Sequence, residues 1–156
     1  MIADYDLVIA SDFGHGMITR AMVSLLSSKA RFLAVNTQLN SINFGYHVAT
    51  RYPRADYICI DEEEARMACR DRESSVEELM HALAEALHPK VMTVTRGHHG
   101  STTGRPDDGL VHVPVLSRQV VDTVGAGDAF LSVAAPCACA GFPPELVGFV
   151  GNAVGA

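Results

Sequence analysis

The sequence has no tryptophan, no Cys-x-x-Cys pair, no run of basic residues and no apolar stretch long enough to cross a bilayer. Each absence removes a class of function. With 12 Lys and Arg against 18 Asp and Glu, the formal charge is −6. No basic stripe offers the phosphate neutralisation that duplex nucleic acid demands, so no nucleic-acid partner is expected. The four cysteines, Cys59, Cys69, Cys137 and Cys139, lack the spacing of a zinc knuckle or disulfide framework, and no secretory segment is read ahead of them. A reducing cytoplasm is therefore the expected location. The seven histidines are scattered apart from His98-His99, which gives no metal-binding cluster. The most apolar segment, "FLSVAAPCACAGF", is too short for a membrane span and carries Pro136 in its middle.

What is present is a chain of 156 residues, 48% hydrophobic and only 19% charged, a balance that suits one packed domain over 1–156. Short apolar runs alternate with helical periodicity. Strands are predicted at Asp6–Ala10, Arg31–Asn36, Tyr57–Ile60, Val91–Thr95 and Leu110–Leu116, the last at a sheet edge or end because it contains Pro114. Helices are predicted over Met17–Lys29, Glu62–Arg70, Val76–Leu87, Gly127–Ala140 and from Pro144 onward, with Pro136 bending the fourth. Ser75 and Glu78 have capping-box spacing ahead of a face made by Val76, Leu79, Met80, Leu83 and Leu87. The polar Thr37–His47 stretch reads as loop with room for a short helix. Connections too long for hairpins imply an α/β fold with a mostly parallel sheet and helices on both faces. Such sheets gather ligands at the carboxyl ends of their strands, where Asp12, Asn36, Asp61 with Glu64, Thr95 with Gly97, and Thr123–Asp128 fall.

"VVDTVGAGDAF" (Val120–Phe130) is the most informative stretch. Gly125, Ala126 and Gly127 precede an apolar helical run, so backbone N–H groups and the positive end of a helix dipole converge there. Small residues let a phosphoryl oxygen approach the main chain, and Asp128 follows as the first larger side chain. An anion hole with an adjacent carboxylate suits phosphoryl transfer to an alcohol, the carboxylate accepting the hydroxyl proton, a role worth ~10²–10⁴ in rate. The same residues also read as a tight turn with a helix-capping aspartate. No G-x-x-x-x-G-K-[ST] loop occurs, and Phe130 stands where G-x-G-x-x-G needs its third glycine, which disfavours a dinucleotide oxidoreductase.

"DTVGAGDAF" resembles the carboxyl-terminal signature, D-T-x-G-A-G-D, of the ribokinase-like (PfkB) carbohydrate kinases, and matches it at every position. The order of the remaining motifs agrees. Asp61-Glu62-Glu63-Glu64 resembles the family's N-x-x-E, Thr95 to Gly100 resembles its T-x-G-x-x-G, and Asn152 resembles a later asparagine in an apolar helix. "SDFGHGMIT" and "YPRADYICIDEEEAR" are similar to the branch containing heptose-phosphate kinases, some of them fused to a nucleotidyltransferase.

The resemblance implies an ATP-dependent kinase of a sugar or sugar phosphate, with Asp128 as general base and Gly125, Ala126 and Gly127 as anion hole. It implies that Thr95, Gly97, Gly100 and Thr123 face the nucleotide and that Asn152 lies near the adenine. Glu64 and Asp61 would hold Mg2+, Glu64 through water, and Asp122 would lie close to a site for a monovalent cation such as K+. Asp61 replaces the family's asparagine, and Asn36 stands where related kinases often place an aspartate.

The resemblance covers only the family's carboxyl-terminal half, without its sugar-binding strands and lid, so the isolated chain is expected to show little or no kinase activity. An apolar face is expected where the other half would pack, inviting a homodimer. The alternative reading is a non-catalytic nucleotide-binding or interaction module derived from such a kinase. Between His15 and Asp12 at the first strand end, Asp12 is the better candidate to approach substrate, while Cys137, Cys139, Met67, Met80 and Met92 read as core.

Overall fold

A computed structural model describes residues 1–43, 45–105, 107–116 and 125–155. Six strands form one sheet in sequence order: β1 (Val8–Asp12), β2 (Leu33–Thr37), β3 (Tyr57–Asp61), β4 (Val91–Thr95), β5 (Ser101–Arg105) and β6 (Gly109–Val113). The first four are parallel, and β5 and β6 add as antiparallel neighbours. Five α-helices accompany them: α1 (Arg20–Lys29), α2 (Glu62–Cys69), α3 (Val76–Leu87), α4 (Ala126–Cys139) and α5 (Pro144–Val154).

Strand alternation divides the core in two, because successive side chains leave a strand on opposite faces. Leu33, Val35, Ile58, Ile60, Met92 and Val94 pack with Val23 of α1, Ala65 of α2 and the apolar face of α3. Phe32, Ala34, Tyr57, Cys59 and Val91 pack on the opposite side with Phe130, Leu131, Ala134, Ala135 and Ala138 of α4 and Val147 of α5. The central strands are buried on both faces, as a helix-covered parallel sheet requires. The expected α/β architecture, a mostly parallel sheet with helices on both faces, is what the chain adopts.

α3 begins where its capping signal places it. Glu78 N–H donates to Ser75 Oγ at 3.2 Å and Ser75 N–H donates to the Glu78 carboxylate at 2.7 Å. All five residues of its apolar face are buried. β6 lies at the sheet edge and stops just before Pro114, which has no N–H to extend a ladder.

Several sequence expectations are corrected. β5 reads as Ser-Thr-Thr-Gly-Arg, with no apolar residue to announce a strand, yet its first four residues are buried. Thr103 earns that burial by pairing with Thr93 Oγ1 at 2.9 Å, and Thr93 in turn receives the Tyr57 hydroxyl at 2.9 Å. Hairpins therefore do occur, at β4–β5 and β5–β6, through connections of five and three residues at positions 96–100 and 106–108. β1 runs on through Ser11 and Asp12, and α1 starts three residues later than its apolar periodicity suggests, because Thr19 accepts from Met22 N–H as its cap. Met67 is 39% exposed instead of sitting in the core, and its side chain lies over Gly45, where a Cβ would meet it at 2.3 Å.

Candidate active site

The parallel register carries the last residues of β1 to β4 to one edge of the sheet, pairing Ser11 with Asn36, Asp12 with Thr37 and Asp61 with Thr95. Asp12 does not face open space there. It is buried, accepts from Gly14 N–H at 3.0 Å and from the Tyr52 hydroxyl at 3.1 Å, and is ion-paired with Arg51. This corrects the expectation that Asp12 approaches substrate: it holds the β1 turn to the segment before β3. His15 lies exposed in that turn.

The loops after β1 and β2 are tied together by two asparagines. Asn43 Nδ2 donates to the Gln38 carbonyl at 2.6 Å and the Phe13 carbonyl at 3.2 Å, while Asn40 Nδ2 donates to Phe13 at 2.6 Å. Gly14 sits where a Cβ would meet Asn43 Nδ2 at 2.6 Å and His47 Cβ at 2.9 Å, so the turn needs glycine. The stretch that sequence periodicity leaves unassigned is a knit pair of turns beside the site.

Asp61 and Glu64 form a second capping box at the start of α2. Glu64 N–H donates to Asp61 Oδ1 at 2.7 Å and Asp61 N–H donates to Glu64 Oε2 at 2.9 Å. Glu64 Oε1 also accepts from Leu39 N–H at 3.0 Å, linking α2 to the β2 loop. D-x-x-E carries the same signal as S-x-x-E, so this box was legible in the sequence. Burial pushes the Glu64 carboxyl up to about 7, and the neighbouring Asp61 and then Asp128 carboxylates add to the rise. The Asp61 carboxyl is likewise raised, first by desolvation.

α4 presents the remaining group. Gly125 is its N-cap with φ +84°, a conformation that favours glycine, and a Cβ built at Gly125 or Gly127 meets no atom of the described residues within 4 Å. The first intrahelical bond runs from Ala129 N–H to the Gly125 carbonyl at 2.8 Å, so the amides of Ala126, Gly127 and Asp128 precede the helical ladder. Asp128 stands in the first turn, its Oδ1 3.5 Å from Ser11 Oγ on β1. Helix packing thus brings Asp128 to the sheet edge that carries Ser11, Asn36 and Asp61, beside Glu64 of α2. Asp122 and Thr123 lie outside the described residues.

Gly97 opens a 3-10 turn after β4 with φ +52°, and no atom of the described residues comes within 4 Å of its Cβ position. Gly100 closes that turn under different demands: its φ is +85° and a Cβ would lie 2.1 Å from the Val113 carbonyl oxygen. Asn152 of α5 donates Nδ2 to the carbonyls of Val113 at 2.9 Å and Pro114 at 3.3 Å, latching α5 to the end of β6. The sequence reading missed Ser11, whose contact with Asp128 no local pattern announces.

Among the described residues no three His, Cys, Asp or Glu side chains converge as a metal cage. A groove of about 720 Å³ lies away from this edge, where the end of α3 (His81, Glu85, His88) meets Arg105 and Asp107 at the amino end of β4. No described helix is long and apolar enough to cross a membrane.

Residues 7–156 match the family described as pfkB family carbohydrate kinase. The chain belongs to that family. Two curated relatives, each called Bifunctional protein HldE, are similar to it: that of Azotobacter vinelandii is 30% identical over 159 residues, covering 99% of this chain and 32% of the relative. That of Pseudomonas fluorescens is 31% identical over 156 residues, covering 96% and 31%. Among solved structures, the Thermotoga maritima ribokinase superposes with TM-score 0.78 at 18% identity, covering 99% of this chain and 50% of that one. Escherichia coli phosphofructokinase-2 in complex with potassium gives TM-score 0.77 at 14% identity, covering 96% and 49%. This pfkB family chain therefore spans about a third of the length of those curated relatives and about half of those solved chains. The ribokinase-like fold and the family expected from the sequence motifs both stand.

Proposed function

We propose that this chain is the nucleotide-facing and catalytic half of a kinase that transfers the γ-phosphoryl group of ATP to a hydroxyl of a sugar or sugar phosphate. The observation that carries the reading is the α4 N-terminus, where an open glycine pair adjoins the Asp128 carboxylate at the carboxyl edge of the sheet. The substrate oxygen attacks the γ-phosphorus, the bond to the bridging oxygen breaks with its electron pair leaving on ADP, and the hydroxyl proton passes to Asp128. The Ala126, Gly127 and Asp128 amides stabilise charge on the moving group. Thr95, Gly97 and Gly100 line the nucleotide side, and Thr123 is assigned to it from the family motif alone. Asn152, through its latch on β6, shapes the wall near the adenine.

Mg2+ fits the residues present. The described carboxylates form no three-residue cage, but Mg2+ is commonly held by one or two carboxylates together with waters and substrate phosphates, and Asp61 and Glu64, joined in one capping box, supply such oxygens. Glu64 would hold the ion through water and Asp61 directly, and when bound it would neutralise charge on the phosphate oxygens. Asp122 is assigned to a monovalent-cation site such as one for K+. The similarity to relatives called HldE supports a sugar-phosphate acceptor of the heptose-phosphate kind.

A second reading has one observation in its favour. Asp61 and Glu64 bond each other's backbone in a closed cap, which suits a nucleotide-binding module without turnover. Kinetics of the full-length protein with Asp128→Asn decides between them. The kinase reading expects turnover lost with nucleotide affinity nearly intact, whereas retained turnover removes Asp128 as base, and a wild-type protein that binds ATP without phosphorylating any sugar favours the module.

The chain on its own is proposed to have little activity and to reside in the cytoplasm. β1 is an edge strand with Ile9 and Phe13 about 40% and 39% exposed. A homodimer through this face is proposed for the isolated chain, and a monomeric sedimentation profile at high concentration would remove it.

A further inference from the structure

We propose that Ser11 is a positioning residue for Asp128, an inference that rests on the reading of Asp128 as the base. The two residues are 117 positions apart and meet only because α4 docks its first turn against the end of β1. Ala10 belongs to the core shared with α1 to α3, and Asp12 turns to Tyr52 of that same core, so Ser11 between them projects to the α4 side of the sheet. There its Oγ donates to Asp128 Oδ1 at 3.5 Å. That length is at the outer limit for such a bond, and contacts of this kind commonly tighten only when substrate is bound.

A second observation bears on the same spot. Asn36 is the register partner of Ser11 on β2 and is 7% exposed. It alternates with Val35 of the α1–α3 core, which puts its side chain on the α4 side as well. Asn36 Nδ2 donates to the Cys59 carbonyl at 2.8 Å, a bond that fixes the orientation of the amide. Its Oδ1 has no donor among the described residues. Buried amide oxygens are seldom left without one, so a donor beyond the described residues completes the set beside Ser11 and Asp128.

A carboxylate in the first turn of a helix is free to swing about its side-chain bonds. A hydroxyl anchored on the sheet and bonded to Oδ1 fixes its plane and leaves Oδ2 facing the substrate. When the alcohol gives its proton to Oδ2, the Ser11 bond remains on Oδ1 and Ser11 exchanges nothing. Ser11 therefore acts through orientation, and its removal lowers the rate of the chemical step without weakening substrate binding.

The test uses the full-length protein with Ser11→Ala, Ser11→Thr, Asp128→Asn and the Ser11→Ala/Asp128→Asn double variant, each checked by thermal midpoint. Ser11→Ala should lower kcat about tenfold with both KM values unchanged, Ser11→Thr should restore most of it, and the double variant should be no worse than Asp128→Asn alone. A Ser11→Ala protein with wild-type kcat, beside an inactive Asp128→Asn, overturns the role of Ser11 and leaves the base intact. An active Asp128→Asn overturns the base itself and this inference with it. Should Ser11→Ala unfold, Ser11→Thr carries the test: it should keep most of the wild-type kcat, and a folded threonine variant slowed about tenfold overturns the proposal.

Discussion

Replacing Gly100 with alanine should unfold much of what the neighbouring Gly97→Ala leaves standing, although the two glycines are three residues apart in one motif. Gly100 has φ +85°, and an added Cβ would lie 2.1 Å from the Val113 carbonyl oxygen and 2.9 Å from Pro114 Cα. Both obstacles are backbone, which cannot rotate aside. The positive φ costs an alanine on the order of 1–3 kcal/mol, and forcing β5 from β6 to admit a methyl group costs roughly another 1–3 kcal/mol. Together they come to about 4 kcal/mol, and at ~2–4 °C per kcal/mol for a chain of this size the midpoint should fall by ~8–16 °C. Gly97 has φ +52° and no atom of the described residues within 4 Å of its Cβ position, so its alanine variant meets only the left-handed penalty of about 1 kcal/mol, or ~2–4 °C. Thermal unfolding followed by circular dichroism measures both. A Gly100→Ala midpoint within a degree of wild type, or a Gly97→Ala protein less stable than Gly100→Ala, would refute the packing argument.

Three further outcomes are expected. Asp56 is buried, accepts from Leu33 N–H at 2.9 Å and is ion-paired with Arg54 and, at 3.3 Å, Lys90; Asp56→Ala strands these donors and should cost about 3 kcal/mol in urea unfolding, with a loss under 1 kcal/mol counting against it. Glu62 is held below its ordinary value of 4.5, first by its hydrogen bond from Arg66 and further by Arg96. Its folded-state pKa is depressed, so its contribution is present above the unfolded value and is lost as pH falls through the folded one. The stability gap between wild type and Glu62→Gln should therefore shrink on acidification, and a gap constant with pH would contradict the assignment. Burial pushes the Cys59 thiol up to about 12, so iodoacetamide at about pH 8 should leave Cys59 unmodified in the native protein and alkylate it in urea; native labelling as fast as unfolded would show that the β3 core is open.

The fold was legible wherever one pattern governed one element. The α3 cap and apolar face, the β4 run and the break at Gly97 each follow from local chemistry. β5 escaped because its burial rests on threonine hydroxyls pairing across strands, Thr93 with Thr103, and hydroxyl pairing has no apolar periodicity to read. The same limit hid the clasp of Asn40 and Asn43 on Phe13 and the lock on Asp12 by Arg51 and Tyr52, which only the folded chain assembles. Within the site, Asp128 and the glycine pair could be named from the sequence because helix-terminus chemistry is local. Ser11 could not, because its partner lies at the far end of the chain.

The central claim is that the amides opening α4, together with the Gly97 turn, hold the phosphates of a nucleotide. The most direct measurement is amide chemical-shift mapping of the 15N-labelled chain during titration with magnesium and ATP. Saturable shifts should centre on Gly97 and on Gly125 to Asp128, with Ser11 and Asn36 at their margin. Shifts concentrated instead on the groove of His81, His88 and Arg105, or none that saturate anywhere, would contradict it.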